Sequence, residues 1–374
     1  MDYKTLKDLP NVKGVPILVR LDLNVPVQDG KVADDYRIRK ALPTVNFLKS
    51  KGAKVVLLSH IEGDVKSLRP VFERLEKDLP ISFCDDVLLR GSEYVATMAA
   101  GDVLLCENLR MYEGEKNNDQ DFAKKLASLG KIYVNEAFSV SHRAHASIVG
   151  VPRILPSFLG LQFEEEIKNL SLCFEPKHPF VFILGGAKFD TKMPLVEKFL
   201  NIADVLIVAG ALANDIFKAR GLQIGKSLFS DSKLNLANHI SNPKIITPTD
   251  VVVLAADGAR VIKNLEEIKP EDKICDAGPQ SIKLFKTIIA QARTVLWNGP
   301  LGEYEHGFKE PTLKIAESIA GTSDAFSVVG GGDTVAAISE LGMEQRFSFV
   351  STGGGAMLDF LANETLPGIE ALKR

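Results

Sequence analysis

The chain has 374 residues, too many for one compact core, so two domains are expected. Its 45% apolar and 25% charged content is that of a soluble globular protein, and a net charge of −3 gives no global case for nucleic acid or an anionic membrane. Cys84, Cys106, Cys173 and Cys275 lack a paired spacing, which argues against zinc and a disulfide scaffold and fits a reducing, cytoplasmic setting. The N-terminal segment has no apolar signal core, and no run of about 18 apolar residues predicts a membrane span.

Residues 16–27 read as the opening strand. Val19, Leu21, Leu23 and Val25 fall on one face, and Arg20, Asp22 and Asn24 on the other. Asp22 and Asn24 fit a solvated strand end as well as they fit a ligand site. Residues 36–51 read as a helix with Arg37 and Arg39 near its start, where a cation opposes the macrodipole. That placement points to an anion beside Arg37, against the alternative of an exposed arginine of negligible cost. Residues 53–59 form a buried strand ending at His60. A helix over 67–77, strands near Ile81 and Val103, a helix over 119–129 and a strand over 131–135 continue the alternation. Such alternation implies a parallel sheet with helices on both faces.

The strand ends are basic. Asn108-Leu109-Arg110 follows one strand and Ser141-His142-Arg143-Ala144-His145 follows another. Together with Arg37 and His60 they occupy positions that share one crevice in an open α/β sheet. An electropositive pocket for a small, multiply charged anion is therefore expected, with solvated loop side chains as the competing reading. Two histidines three apart, without a carboxylate or cysteine partner, are weak evidence for a metal.

Pro152 and Pro156 mark a boundary, and residues 157–170 read as an amphipathic connecting helix with Glu164, Glu165 and Glu166 exposed. The second domain opens with a strand at 179–184 and Gly185-Gly186-Ala187-Lys188-Phe189-Asp190-Thr191-Lys192. If Asp190 caps a helix, both lysines reach a phosphate chain on that turn; surface lysines after a tight turn are the alternative. A strand over 205–209 ends at Gly210. Gly221 to Ser227 imitates a P-loop, but three residues rather than four separate its glycines, and it follows a helical run. Strands at 244–246, 251–255 and 294–297 lead to the Asn298-Gly299-Pro300 turn. Two strand–glycine–helix units close the domain, one through Gly330-Gly331-Gly332-Asp333-Thr334 and one through Thr352-Gly353-Gly354-Gly355. Three glycines waste backbone entropy unless something approaches the backbone closely, and phosphate at a helix N-terminus is the usual reason. Two tight turns without a ligand are the other reading. A nicotinamide-binding turn would need Gly-x-Gly-x-x-Gly with an acidic residue about 20 positions on, and neither the first strand turn nor the Gly185 turn supplies it.

Seven motifs occur in the order found in phosphoglycerate kinases: Arg20-Leu-Asp-Leu-Asn-Val-Pro26, Glu107-Asn-Leu-Arg110, His142-Arg-Ala-His-Ala-Ser147, Gly185-Gly-Ala-Lys188, Trp297-Asn-Gly-Pro300, Gly330-Gly-Gly-Asp-Thr334 and Ser351-Thr-Gly-Gly-Gly355. The chain resembles that family over essentially its whole length. The resemblance implies two doubly wound, Rossmann-like α/β domains with parallel sheets, joined by a long helix across a deep cleft. Residues 1–155 would bind 3-phosphoglycerate, 156–171 would form the joining helix, and 172–359 would bind the Mg-nucleotide, with 360–374 packing back on the first domain. It implies a substrate site of Asp22, Leu23, Asn24, Arg37, His60, Arg110 and Arg143. It implies a nucleotide site of Gly185, Gly186, Lys188, Lys192, Gly210, Glu305, Gly331, Gly332, Asp333 and Thr334, with Asp333 toward Mg²⁺. Arg37, Lys188 and the Gly353 and Gly354 N–H groups would act on the phosphoryl group in transit. The implied reaction is reversible transfer between ATP and the carboxylate of 3-phosphoglycerate, giving ADP and 1,3-bisphosphoglycerate after hinge closure. A cytoplasmic monomer with no nucleic-acid or membrane partner is expected.

The chain departs from the family pattern in one place of consequence. Ser-His-Leu-Gly-Arg-Pro is replaced by Ser59-His60-Ile61-Glu62-Gly63-Asp64, so a substrate-binding arginine aligns with Gly63 while Glu62 and Asp64 add negative charge. Lys66 and Arg69 are the candidate replacements. Glu303-Tyr304-Glu305 keeps the last glutamate of its motif, and Lys309-Glu310-Pro311-Thr312 replaces a Gly-Thr ending. These changes keep a second reading in view, a binding relative of the same fold with little activity.

Overall fold

The computed structural model describes residues 3–187, 189–230 and 241–373, without the side chains of residues 189–191. The chain separates into two compact units: one runs to Lys168 and resumes at Asn363, and the other spans Asn169–Ala362.

The first unit is built on a six-stranded sheet in which every pairing is parallel. Pro16–Arg20 lies inside it, with Lys54–Leu58, Val103–Cys106 and Ser82–Cys84 following to one side and Ile132–Asn135 and Ser157–Leu159 to the other. Its central strands are continuous apolar runs because both faces are covered, and Ile17, Leu18, Val19 and Val55 to Leu58 are fully buried. The connections leave Pro16–Arg20 and Ile132–Asn135 in opposite directions, which opens a crevice at the carboxyl ends of these strands. The opening strand ends at Arg20, short of the expected 16–27. Asp22 and Asn24 therefore sit in the loop beyond it, while Leu21, Leu23 and Val25 stay buried.

The expected helix over 157–170 divides in two. Ser157–Leu159 is an edge strand with all three residues buried, and the helix is Leu161–Ser171. The cause lies at Glu136, whose carboxylate accepts N–H bonds from Gln162 and Phe163, each 3.1 Å. A side chain on Gly160 would meet that carboxylate at 2.0 Å. A helix over Val87–Thr97, capped by Asp86 on the Leu88 and Leu89 N–H groups at 3.0 Å, was not anticipated. The Pro367–Glu370 turn packs on residues 146–150, and Gly368 N donates to Ser141 O at 2.8 Å.

The second unit repeats the plan. Its six-stranded parallel sheet runs Ile245–Ile246, Val205–Val208, Phe180–Leu184, Thr294–Asn298, Phe326–Gly330, Phe349–Val350. The Gly185-Gly186 and Gly299-Pro300 turns lie at the carboxyl ends of its two central strands. A second, antiparallel sheet places Asp250–Leu254 between Arg260–Asn264 and Lys273–Ala277, over a small core of Phe217, Val251, Val253 and Ile274. All four cysteines are buried, and Cys84 sits opposite Cys106 on neighbouring strands. Among the described residues no group of three or more potential ligands could hold a metal ion, and no helix is long and apolar enough to cross a membrane.

Candidate active site

The crevice of the first unit gathers the expected cations. Arg37, on the first turn of the helix Tyr36–Ser50, reaches Asp22 Oδ2 at 2.7 Å and the Asn24 carbonyl at 3.2 Å. Asp22 also accepts from Ser139 Oγ and from the Asn24 N–H. Arg37 thus has a carboxylate partner that fixes its position without burying it. Arg20 is fully buried and donates to Ser147 Oγ at 2.8 Å, with a second nitrogen 3.2 Å from His60 Nδ1. A guanidinium only donates, so His60 Nδ1 accepts and the neutral ring carries its proton on Nε2. Burial, then Arg20, Arg110 and Arg143, holds His60 well below the usual histidine range. Burial and the same arginines push His145 down to about 4. At neutral pH His60 and His145 are therefore uncharged beside the arginines.

Arg110 is held from below. Glu107 accepts from Ser67 Oγ and Leu68 N, at 2.6 and 2.7 Å. Asn108 donates to the carbonyls of Ile61 and Lys66 and accepts from Arg110 N. The Glu107–Arg110 motif therefore ties the loop after His60 to the turn that carries Arg110. The Arg110 side chain is only 6% exposed, and its Nε and Nη2 are buried without a hydrogen-bond partner. Its Nη1 donates to Glu62, and Arg143 Nη1 lies 3.5 Å from the same Glu62 oxygen. Burial acts to raise the Glu62 carboxyl, but Arg110 and Arg143 outweigh it and hold the group below its ordinary value. Of the two candidate replacements for the missing arginine, Arg69 stacks over Phe83, 4.2 Å from the ring centre. Lys66 folds onto the Gly63 carbonyl at 2.7 Å and so stays in the loop.

In the second unit a cavity of about 280 Å³ is lined by Gly186, Gly210, Phe217, Leu228, Val251 and Glu305, among others. A groove of about 460 Å³ shares Gly186, Ala187, Pro300 and Asp333 with it and continues past Lys192, Gly331, Gly332, Thr334 and Gly354. An apolar pocket opening into a glycine-lined groove suits a nucleoside with a phosphate chain. The glycines divide by role. A side chain on Gly185 would strike the Pro300 carbonyl at 2.1 Å and one on Gly210 the Gly186 nitrogen at 2.7 Å, so those glycines serve backbone packing. A side chain on Gly332 or Gly354 would meet nothing within 4 Å, which leaves those backbones open to a ligand. Gly331, with φ +103°, precedes the helix Gly332–Glu340, and Thr334 Oγ1 anchors the Gly299 N–H at 2.9 Å. Gly353 N donates to Ser351 Oγ at 3.0 Å, so its N–H already has a partner. Lys192 donates to the Gly185 carbonyl, and burial pulls its ammonium down to about 8 against the pull of Asp333. Burial and Glu305 raise the Asp333 carboxyl, and Lys192 opposes them. Lys188 lies outside the described residues.

The phosphoglycerate kinase family model matches residues 6–364. The chain belongs to the phosphoglycerate kinase family. It is 42% identical to the phosphoglycerate kinase of Dictyoglomus turgidum over 394 aligned positions that cover all of both chains. It is 41% identical to that of Coprothermobacter proteolyticus over all of this chain and 99% of the relative. Solved phosphoglycerate kinases from Coxiella burnetii and Pyrococcus horikoshii superpose with TM-scores of 0.85 and 0.88 at 35% and 31% identity, each covering 99% of this chain. These relatives carry the name of a phosphotransferase, and nothing in the comparisons favours a non-catalytic member.

Within this phosphoglycerate kinase framework, sequence reasoning missed Arg20, Ser139 and the position of Glu62. Arg20 carried a signal, since a cation closes an otherwise apolar strand. The Glu62 contacts depend on how Asn108 folds the loop, and no local pattern encodes that.

Proposed function

We propose that the protein transfers a phosphoryl group reversibly between ATP and the carboxylate of 3-phosphoglycerate, forming ADP and 1,3-bisphosphoglycerate. One observation carries the reading: the family match runs from residue 6 to residue 364 and so spans both the arginine crevice and the glycine-lined groove. Arg37, Arg110, Arg143, His60, Asp22, Leu23 and Asn24 would bind the phosphoglycerate. The apolar cavity would take the nucleoside, and Gly331 to Thr334 with Lys192 the phosphates. Mg²⁺ fits the donors at hand, because that ion binds through one or two carboxylates plus substrate phosphates, and Asp333 lines the groove. When bound, it would neutralise charge on the nucleotide phosphates.

The chemistry asks little covalent work of the protein. Phosphoryl transfer needs alignment and neutralisation of charge on the moving group. Arg37 and Lys188 are the proposed cations, with the Gly354 N–H as a further donor, since the Gly353 N–H is already given to Ser351 Oγ. A substrate carboxylate is already ionised at neutral pH, so no general base is required. Because substrate and nucleotide sites belong to different units, reaction would follow a closure that brings them together and excludes water. Purified protein with ATP, Mg²⁺ and 3-phosphoglycerate should yield an acyl phosphate that hydroxylamine traps. Folded protein that gives no hydroxamate would sink the proposal.

A further inference from the structure

We propose that Glu62 is an internal competitor for the anion site formed by Arg110 and Arg143, and that a substrate anion binds there only by displacing it. The proposal rests on reading this crevice as the phosphoglycerate site. Three observations support it. The Glu62 carboxylate touches Nη1 of both arginines through one oxygen. Arg110 is 6% exposed yet keeps Nε and Nη2 buried and unpartnered, so Glu62 leaves most of that guanidinium unused. An anion that takes the place of the Glu62 carboxylate could span the fork with two parallel bonds where Glu62 makes one. Finally, the backbone of Glu62 is pinned by its N–H to Asn24 Oδ1 at 2.9 Å, while its side chain is 44% exposed. Rotation into solvent would vacate the arginines without moving the loop.

A carboxylate that must leave lowers affinity for every anion at this position by a common factor. The half-exposed pair is screened, so that factor is about three- to tenfold. It belongs to the arginine crevice alone, and nucleotide binding is not expected to share it.

The test compares wild type, Glu62→Gln and Glu62→Ala by the KM for 3-phosphoglycerate, the KM for Mg-ATP and calorimetric affinity for sulfate. Both variants should tighten 3-phosphoglycerate and sulfate by the same three- to tenfold factor, leave the Mg-ATP value unmoved, and lose the gain in an Arg110→Met background. Glu62 would instead be an orienting residue if the variants, with wild-type denaturation midpoints, bind sulfate and 3-phosphoglycerate equally or more weakly, which overturns the proposal. A gain in sulfate affinity in a protein that never turns over 3-phosphoglycerate would leave the competitor role standing and remove the kinase reading beneath it.

Discussion

At the scale of single residues, the charge state of Lys192 makes the nucleotide groove sensitive to pH. Burial pulls its ammonium down to about 8, so the free protein loses that charge as pH rises through about 8. A phosphate chain beside it favours the charged form and would raise the value again. Binding then takes up a proton above pH 8, and affinity must fall as pH rises. Mg-ATP affinity should drop by up to about tenfold per unit above pH 8, a slope that Lys192→Met abolishes. A flat profile between pH 7 and 9.5 in titration calorimetry would show that Lys192 does not meet the phosphates. Other residues show how unevenly the site could be read in advance. Arg37 could be suspected from its unfavourable place on the first helical turn. Asp22 was expected in the same site, but its pairing with Arg37 could not be read, because alternation assigned Asp22 to a strand face and the strand stops at Arg20.

Among elements, the parallel strands were legible because burial on both faces demands continuous apolar runs, such as Lys54–Leu58 and Phe180–Leu184. Of the antiparallel sheet only the central strand was legible, expected at 251–255 and found at Asp250–Leu254. Arg260–Asn264 alternates between half-buried and exposed residues, several of them polar, which reads locally as a loop. The helix Leu161–Ser171 was found with a false start, since its beginning is set by Glu136, 25 residues or more upstream, rather than by a local cap. That origin makes Gly160 a strict requirement. Gly160→Ala would drive a methyl group into the buried Glu136 carboxylate and break its bonds to Gln162 and Phe163. A loss of about 2–4 kcal/mol of stability is expected in urea denaturation followed by circular dichroism. An unchanged midpoint would mean that Glu136 does not fix the helix.

On the scale of the whole molecule, the proposed function divides the chemistry between the two units. The first presents arginines and neutral histidines at the edge of a parallel sheet, a surface suited to a small anion. The second presents an apolar cavity running into open glycine backbone, suited to a nucleotide. The proposed mechanism passes the phosphoryl group directly from one substrate to the other, so both must be bound at once. Initial rates of acyl phosphate formation over a grid of Mg-ATP and 3-phosphoglycerate concentrations test this directly. The account predicts saturation in both substrates and intersecting double-reciprocal lines. Parallel lines, or turnover with either substrate omitted, would contradict it.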